Sequence, residues 1–267
     1  MAVIAMSREM GSLGLEVAKR VAHGRHQRVA YHETLGLQAN RLRLRRSHVV
    51  RLLGGKDGKD EQLTAEQASQ YLFTPAETFE LLRDEDVGVV RGWGAVPLLQ
   101  DIAHVVRVRV CAPMPMRVRR MMERLDTDDH AFVENEIALS DASQDAITRR
   151  HFGVDWRDAR QYDLVLNTGE LTIDECVDEI ETVMEMSRVR RTTESVRVFD
   201  DLSLKWQVLA ALRKDARTLT MELDVLADAG NVRLRGALSR GLKRGDAVEV
   251  AFSVQGVEKV TSEIQEP

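Results

Sequence analysis

The opening of the chain constrains its fold more than any other stretch. An apolar run from Ala2 to Met6 meets a short glycine-containing turn. From Glu16 to His23, Val17, Ala18, Val21 and Ala22 then recur at helical spacing. A strand passing through a tight loop straight into a helix opens many nucleotide-binding folds, because the amides at the helix start attract anions. Two later apolar runs, Val87 to Val90 and Val105 to Cys111, read as buried parallel strands, and Tyr162 to Leu166 reads as a fourth. Helix starts are marked by Thr64 with Gln67, Thr74 with Glu77 and Thr172 with Glu175, each a capping-box pattern, and Pro75 takes a first helical position. After Thr172, the residues Ile173, Cys176, Val177, Ile180, Val183 and Met184 share one face. This alternation predicts a three-layer α/β domain with a mainly parallel sheet over residues 1–186.

The pattern changes after Met186. Residues 187–198 are polar and basic with little apolar periodicity, and they read as a linker. Residues 199–267 read as a small α+β domain of order αββαβ. Its first helix carries the stripe Leu202, Trp206, Leu209 and Leu212. Leu219, Met221, Leu223 and Val225 alternate with polar residues, as do Val232, Leu234 and Leu238, with Gly230-Asn231 as the turn between them. Val248, Ala251 and Phe252 mark a second helix, and Val257 to Ile264 a closing strand.

Composition narrows the class. Hydrophobic residues make up 43% and charged residues 30%, the balance of a globular protein. A net charge of -5 gives no overall reason to expect nucleic acid as a partner. There is no apolar run of about 18 residues, so no membrane span is expected. Met1 to Met6 is too short for a signal-peptide core. The only cysteines, Cys111 and Cys176, fall in a predicted strand and helix and are expected as reduced, buried thiols, which together point to the cytoplasm. The seven histidines lack metal-ligand spacing, and no metal site is expected. A hydrolase reading finds no G-x-S-x-G elbow.

The loop between the first strand and helix reads Ser7-Arg8-Glu9-Met10-Gly11-Ser12-Leu13-Gly14-Leu15-Glu16. A Walker loop, GxxxxGK[ST], cradles phosphate with backbone amides, neutralises it with lysine and holds magnesium with a hydroxyl. On that template Arg8 and Leu13 stand at the glycines, Gly14 at the lysine and Leu15 at the hydroxyl. The candidate phosphate-binding residues are Arg8, Gly11, Ser12, Leu13 and Gly14, with anion attraction at the helix N-terminus as the property that survives.

Three segments carry a resemblance to the cytidylate kinase-like family: VIAMSREMGSLGLEVAKRVA at the start, VRVRVCAPMPMRVRRMMER, and HFGVDWRDARQYDLVLNTGELTIDECVDEI. It spans roughly residues 1–184. The family typically reads I-S-R-x-x-G-S-G-G-x-x-I-A at the loop. The resemblance implies a P-loop nucleoside monophosphate kinase fold, ATP and Mg2+ as cofactors if the protein is active, and CMP as acceptor. It implies lid arginines at Arg117, Arg119 and Arg120, and site roles for Arg117, Arg120, Asp141 and Arg149. The chain departs from the family at Leu13, at Trp93 within Gly92-Trp93-Gly94-Ala95, and at Ala142 and Gln144, where arginines for the transferred phosphate are expected. Arg149 and Arg150 remain. Arg8, Arg91 or Lys19 could compensate for the missing lysine. Asp141 and Asp145 could hold magnesium or orient an acceptor, or be solvated helix-face acids.

Two further readings complete the sequence. Arg41 to Arg51 packs five arginines, of which Arg45 or Arg46 could grip phosphate; the same run also reads as a partner patch or a solvated basic helix. Residues 201–264 resemble a BON domain through LKWQVLAALRKD, GNVRLRGALS with Gly236, and FSVQGVEKVTSEI with Gly256 and Val257. That implies a module for a ligand, a lipid surface or a protein partner. Two functions are therefore expected to compete. One is a nucleotide-binding regulatory protein whose phosphoryl transfer is weak or lost, and the other is an active CMP kinase; a purely structural adaptor is a third class.

Overall fold

A computed structural model describes residues 2–31, 75–92 and 94–266. The basic run 41–51, Thr64, Gln67, Thr74 and Trp93 lie outside the described residues. The chain falls into two compact units, the first carrying described residues up to 31 and from 82 to 192, the second carrying 75–81 and 193–266.

The valine-rich runs of the first unit become a parallel sheet. Its strands are β1 (Val3–Arg8), β2 (Arg28–Tyr31), β3 (Val87–Arg91), β4 (Val105–Cys111) and β5 (Leu164–Asn167). They lie in the order β2-β3-β1-β4-β5, every pair parallel. The helices are α1 (Gly14–Gly24), a helix over 75–83 (α2) whose residues 75–81 belong to the second unit, α3 (Ala95–Leu98), α4 (Met114–Leu125), α5 (His130–Phe152) and α6 (Ile173–Met184). A parallel sheet must be covered on both faces. On one face Ile4, Met6, Val106, Val108 and Val110 pack against Val17 and Val21 of α1 and Cys176 and Ile180 of α6. On the other, Val90 meets Ala95 of α3. The chain leaves β1 towards β2 on one side and leaves β4 towards β5 on the other, so a crevice opens at the carboxyl ends of β1 and β4. This is a five-stranded, all-parallel α/β arrangement with helices on both faces.

Local signals account for the boundaries. Thr172 and Glu175 form a complete capping box at the start of α6. Asp129 caps α5 through the Phe132 amide, and α5 ends on Gly153 in the left-handed conformation, φ 68. At the entry to β5, the Asp163 carboxylate accepts from the Arg107 amide, from the Arg107 side chain and from Arg188, tying β5 to β4.

The second unit contains α7 (Thr193–Lys214), β6 (Leu223–Asp228), β7 (Asn231–Ala237), α8 (Arg244–Phe252) and β8 (Lys259–Gln265). Its sheet runs β6-β7-β8, with β6 and β7 antiparallel and β7 and β8 parallel across α8. Leu204, Val208, Leu212, Val225, Leu234, Ala251 and Ile264 form its core. Phe79 of α2 meets Phe199 of α7 edge to face at 5.2 Å.

Four details differ from the sequence reading. Segment 187–198 is ordered, with a 3-10 turn over Ser187–Val189 and the first turns of α7 from Thr193. The buried stripe of α7 is Phe199, Ser203, Leu204, Val208 and Leu212, while Leu202, Trp206 and Leu209 are half-buried beside it. The hairpin turn is Ala229-Gly230, one residue earlier than expected; both have positive φ, 44 and 80, which suits the right-handed twist of a two-residue hairpin. Leu219 precedes β6 in a turn, its amide donating to the Asp215 carbonyl. Among the described residues no helix is long and apolar enough to cross a membrane.

Asp163 gives a pH test. Burial raises its carboxyl, but the hydrogen bonds from Arg107 and Arg188 outweigh burial and hold it below its usual value. Its contribution is present above the unfolded value and is lost as pH falls through the lower folded value. Asp163→Asn should therefore flatten the loss of stability on acidification below about pH 4, followed by chemical denaturation. Parallel acid limbs in the two proteins would refute this.

Candidate functional site

The candidate site starts where β1 ends. The Glu9 amide donates to the Val110 carbonyl at 3.0 Å, so the chain stays registered on β4 one residue past Arg8. It then turns. The Ser12 amide donates back to the Glu9 carbonyl at 3.2 Å, with Gly11 at φ 80 and Leu13 at φ 59 immediately before α1. Gly11 is required twice over, since a Cβ there would sit 2.7 Å from the Arg117 carbonyl oxygen in a backbone region L residues avoid. Gly14 is required for a different reason. A Cβ on it would lie 2.7 Å from the Cβ of Arg8, whose stem covers the first turn of α1. The arginine thus lies over the position at which the Walker template has lysine.

Helix α4 holds the loop from the other side. Arg117 Nε donates to the Met10 carbonyl at 2.7 Å, and Arg120 Nη1 reaches the Gly11 carbonyl at 3.4 Å. Arg120 also donates to Thr168, at 3.0 Å to Oγ1 and 2.8 Å to the carbonyl, while Thr168 Oγ1 donates to the Ser12 carbonyl at 2.9 Å. The carbonyls of residues 10, 11 and 12 are therefore all held. Because each peptide is planar and trans, the amides of Gly11 and Leu13 point the opposite way from the carbonyls of Met10 and Ser12. The first amides of α1 also have no intrahelical acceptor.

Beneath the loop lies a buried set of charges. Arg117 donates to both oxygens of Asp141, at 2.9 and 2.8 Å, and stands 3.4 Å from Glu9. Glu9 accepts from Arg109 at 2.7 Å and from the Ala112 amide at 3.2 Å. Arg109 in turn donates to the Arg157 carbonyl and lies 4.9 Å from the Trp156 ring centroid. Two acids and two bases neutralise one another.

Of the residues expected at a catalytic site, Arg117 and Asp141 are brought together and bound to each other. Arg117 is 4% exposed and Asp141 8%. Arg120 sits beside them on the loop. Arg149 belongs to an exposed cluster instead, paired with Asp145 at 3.0 Å and Asp155 at 2.7 Å. Gln144, at a position where an arginine was expected, donates to Ser7 Oγ at 2.7 Å. It lines a small, mostly apolar cleft with Ser7, Val96, Trp156 and Tyr162, where burial pushes the Tyr162 phenol up. Arg8 is half-buried, and among the described residues its one hydrogen bond is a long one, 3.4 Å to the Glu9 carbonyl. Burial, reinforced by the charges of Arg91 and Arg124, lowers its pKa to about 10.

Glu9, Arg109 and Thr168 were not singled out by the sequence. A signal for Arg109 was present: in VVRVRVC, arginines alternate with valines inside a buried strand, a pattern that demands partners for the charges.

Arg8 and the α1 amides suit a phosphate. Magnesium needs several hard oxygen ligands in near-octahedral geometry. Leu15 replaces the hydroxyl, and Glu9 and Asp141 are committed to arginines. Among the described residues no group of three or more His, Cys, Asp or Glu could hold a metal ion. The described residues do not fit the metal.

The fold and the loop define an α/β protein of the P-loop kinase type. Residues 3–170 match the model of the cytidylate kinase-like family, and the chain belongs to that family. Among solved structures, an uncharacterized protein from Eubacterium ventriosum is similar at 20% identity and TM-score 0.53, covering 69% of this chain and 99% of that one. Shikimate kinase from Bacteroides thetaiotaomicron is similar at 16% identity and TM-score 0.42, over 69% of this chain and 99% of that one. Shikimate kinase from Acinetobacter baumannii, in complex with shikimate, is similar at 10% identity and TM-score 0.40, over 71% and 96%. No curated protein sequence matches the chain.

The buried pair yields a stability prediction. Removing one partner strands the other charge, so Asp141→Ala should cost about 3–5 kcal/mol. Combining Arg117→Met with Asp141→Leu should cost less than the two single changes together, in a double-mutant cycle by urea unfolding. Additive costs would contradict the pairing.

Proposed function

We propose that the chain binds the phosphate tail of a nucleotide at the β1–α1 loop and serves as a regulatory or sensing protein in which phosphoryl transfer is weak or lost. The observation that carries this reading is the bidentate Arg117–Asp141 pair, buried and self-neutralised. Phosphoryl transfer rests on positioned positive charge, and a single supplied arginine is worth about 10³–10⁵ in rate. An arginine already engaged by both oxygens of a carboxylate has little left to offer a transferring phosphate. Arg149 is likewise engaged by Asp145 and Asp155. With Gly14 and Leu15 in place of lysine and hydroxyl, the loop retains anion attraction while lacking the usual transfer groups. Family membership supports a nucleotide as the ligand, with ATP the first to test.

The second unit is read as a separate BON-like domain, a module for a ligand, a lipid surface or a protein partner. Its αββαβ order supports this, together with Gly236, where a Cβ would meet the Glu222 carbonyl at 2.8 Å. One observation favours the alternative of an active CMP kinase: the Arg8 stem lies over Gly14, where its guanidinium could serve in place of the lysine.

Thermal unfolding with ATP and CMP, with and without magnesium, run beside an ADP-release assay, separates these readings. Binding predicts that ATP raises the melting temperature, with about 2.7 kcal/mol of stabilisation at a hundred times its Kd. Arg8→Ala should abolish the shift, and no CMP-dependent ADP should form. CMP-dependent ADP release would establish the kinase, and the absence of any shift would leave an adaptor.

A further inference from the structure

Walker-type loops bind phosphates together with magnesium, and the residues here favour the first and not the second. Arg8 and Arg91 end the adjacent strands β1 and β3. Ile4 and Met6 on β1 and Val89 on β3 belong to the core beneath α1, and strand alternation carries Arg8 and Arg91 to that same face. On α4, Arg117, Arg120 and Arg124 stand three and four residues apart and form one stripe. The first two members hold the carbonyls of Met10 and Gly11, so Arg124 continues the stripe one turn further along the loop-facing side. Positive groups thus converge from β1, β3 and α4. Their mutual repulsion adds to burial in weakening the hold of Arg8 on its proton.

The loop holds a second, independent sign of a ligand. Ser12 is fully buried, and among the described residues its hydroxyl has no hydrogen-bond partner. A buried hydroxyl without an acceptor is costly, and a phosphate oxygen would supply one. Carboxylates that could hold a metal are spent or few. Among the described residues Glu9 and Asp141 are bound to arginines, and Glu16 in the first turn of α1 sets its charge against Arg8 and Arg120, with Glu123 beside Arg120 as well. A divalent cation placed among these guanidiniums would be repelled.

We propose that the β1–α1 loop takes a polyphosphate anion free of magnesium, with Arg8 and Arg124 supplying the positive charge that the metal supplies elsewhere. This rests on the reading of the loop as a phosphate site. The anion could be the tail of a nucleoside triphosphate or an inorganic polyphosphate, which share the same chemistry.

Calorimetric titration of the full chain tests it, using ATP, inorganic tripolyphosphate and AMP, each with EDTA and with excess magnesium. ATP should bind in EDTA, and magnesium should weaken it roughly tenfold or more, because the metal halves the anion's charge. Tripolyphosphate binding as well as ATP would mark the phosphate chain as the recognised group; ATP binding alone would mark a nucleotide. AMP should bind far more weakly than either. Arg124→Gln, an exposed position, should weaken binding in EDTA about five- to tenfold and leave the unfolding midpoint unchanged. Binding that requires magnesium would overturn this inference while leaving the phosphate site standing. No binding in either condition would overturn both. Unchanged affinity in Arg124→Gln would overturn the arginine substitution.

Discussion

The two parallel hydrogen bonds between Arg117 and Asp141 are the interaction on which the rest of the loop depends. They fix the guanidinium plane, and with the plane fixed, Nε can only point at the Met10 carbonyl. That bond sets the orientation of the first loop peptide, and Arg120 and Thr168 set the next two. A buried ion pair adds little net stability over a well-packed apolar pair, but breaking it is expensive. Its contribution here is therefore geometric: it locks α4 to α5 and makes the loop a rigid support. Glu9 and Arg109 repeat the arrangement one layer lower, so the carboxyl ends of β1 and β4 are held together by charge as well as by the ladder.

The same arrangement explains what the site has available. Arginines near a phosphate loop are usually counted as resources for the phosphate. Here two of them, Arg117 and Arg120, support the protein's own backbone, and the guanidinium of Arg8 lies among like charges over the start of α1. Charge committed to structure is unavailable to a transition state, whereas charge held without a carboxylate partner attracts anions. That division of roles is the physical ground of the proposed anion binding without transfer.

Much of the fold was legible because buried parallel strands are written as valine runs. The span of β4 was read to the residue, and the capping box at Thr172 formed in full. The second unit's order of elements was equally visible from alternation. Other features depended on tertiary partners. Trp206 looks like a core residue, yet the core of its helix follows Leu204, Val208 and Leu212, because the facing strands select that stripe. The segment 187–198 reads as a linker by composition, but it supplies the first turns of α7, with Ser195 buried there. At the site, Arg117 and Asp141 were each identified, while their pairing was not, since it joins two helices across 24 residues. Glu9 stayed hidden because a loop glutamate looks solvated until its partner on β4 is known.

The environment of the Arg117 side chain provides the most direct test of the account. Arginine side-chain NMR, assigned by comparison with Arg117→Lys, would follow its Nε–H resonance as ATP is added to saturation. A structural pair predicts that the signal, protected by the Met10 carbonyl and Asp141, stays where it is while resonances of the β1–α1 loop move. Displacement of the Arg117 signal together with loss of the Asp141 contact would show that the arginine leaves its partner for the nucleotide, and would contradict the account.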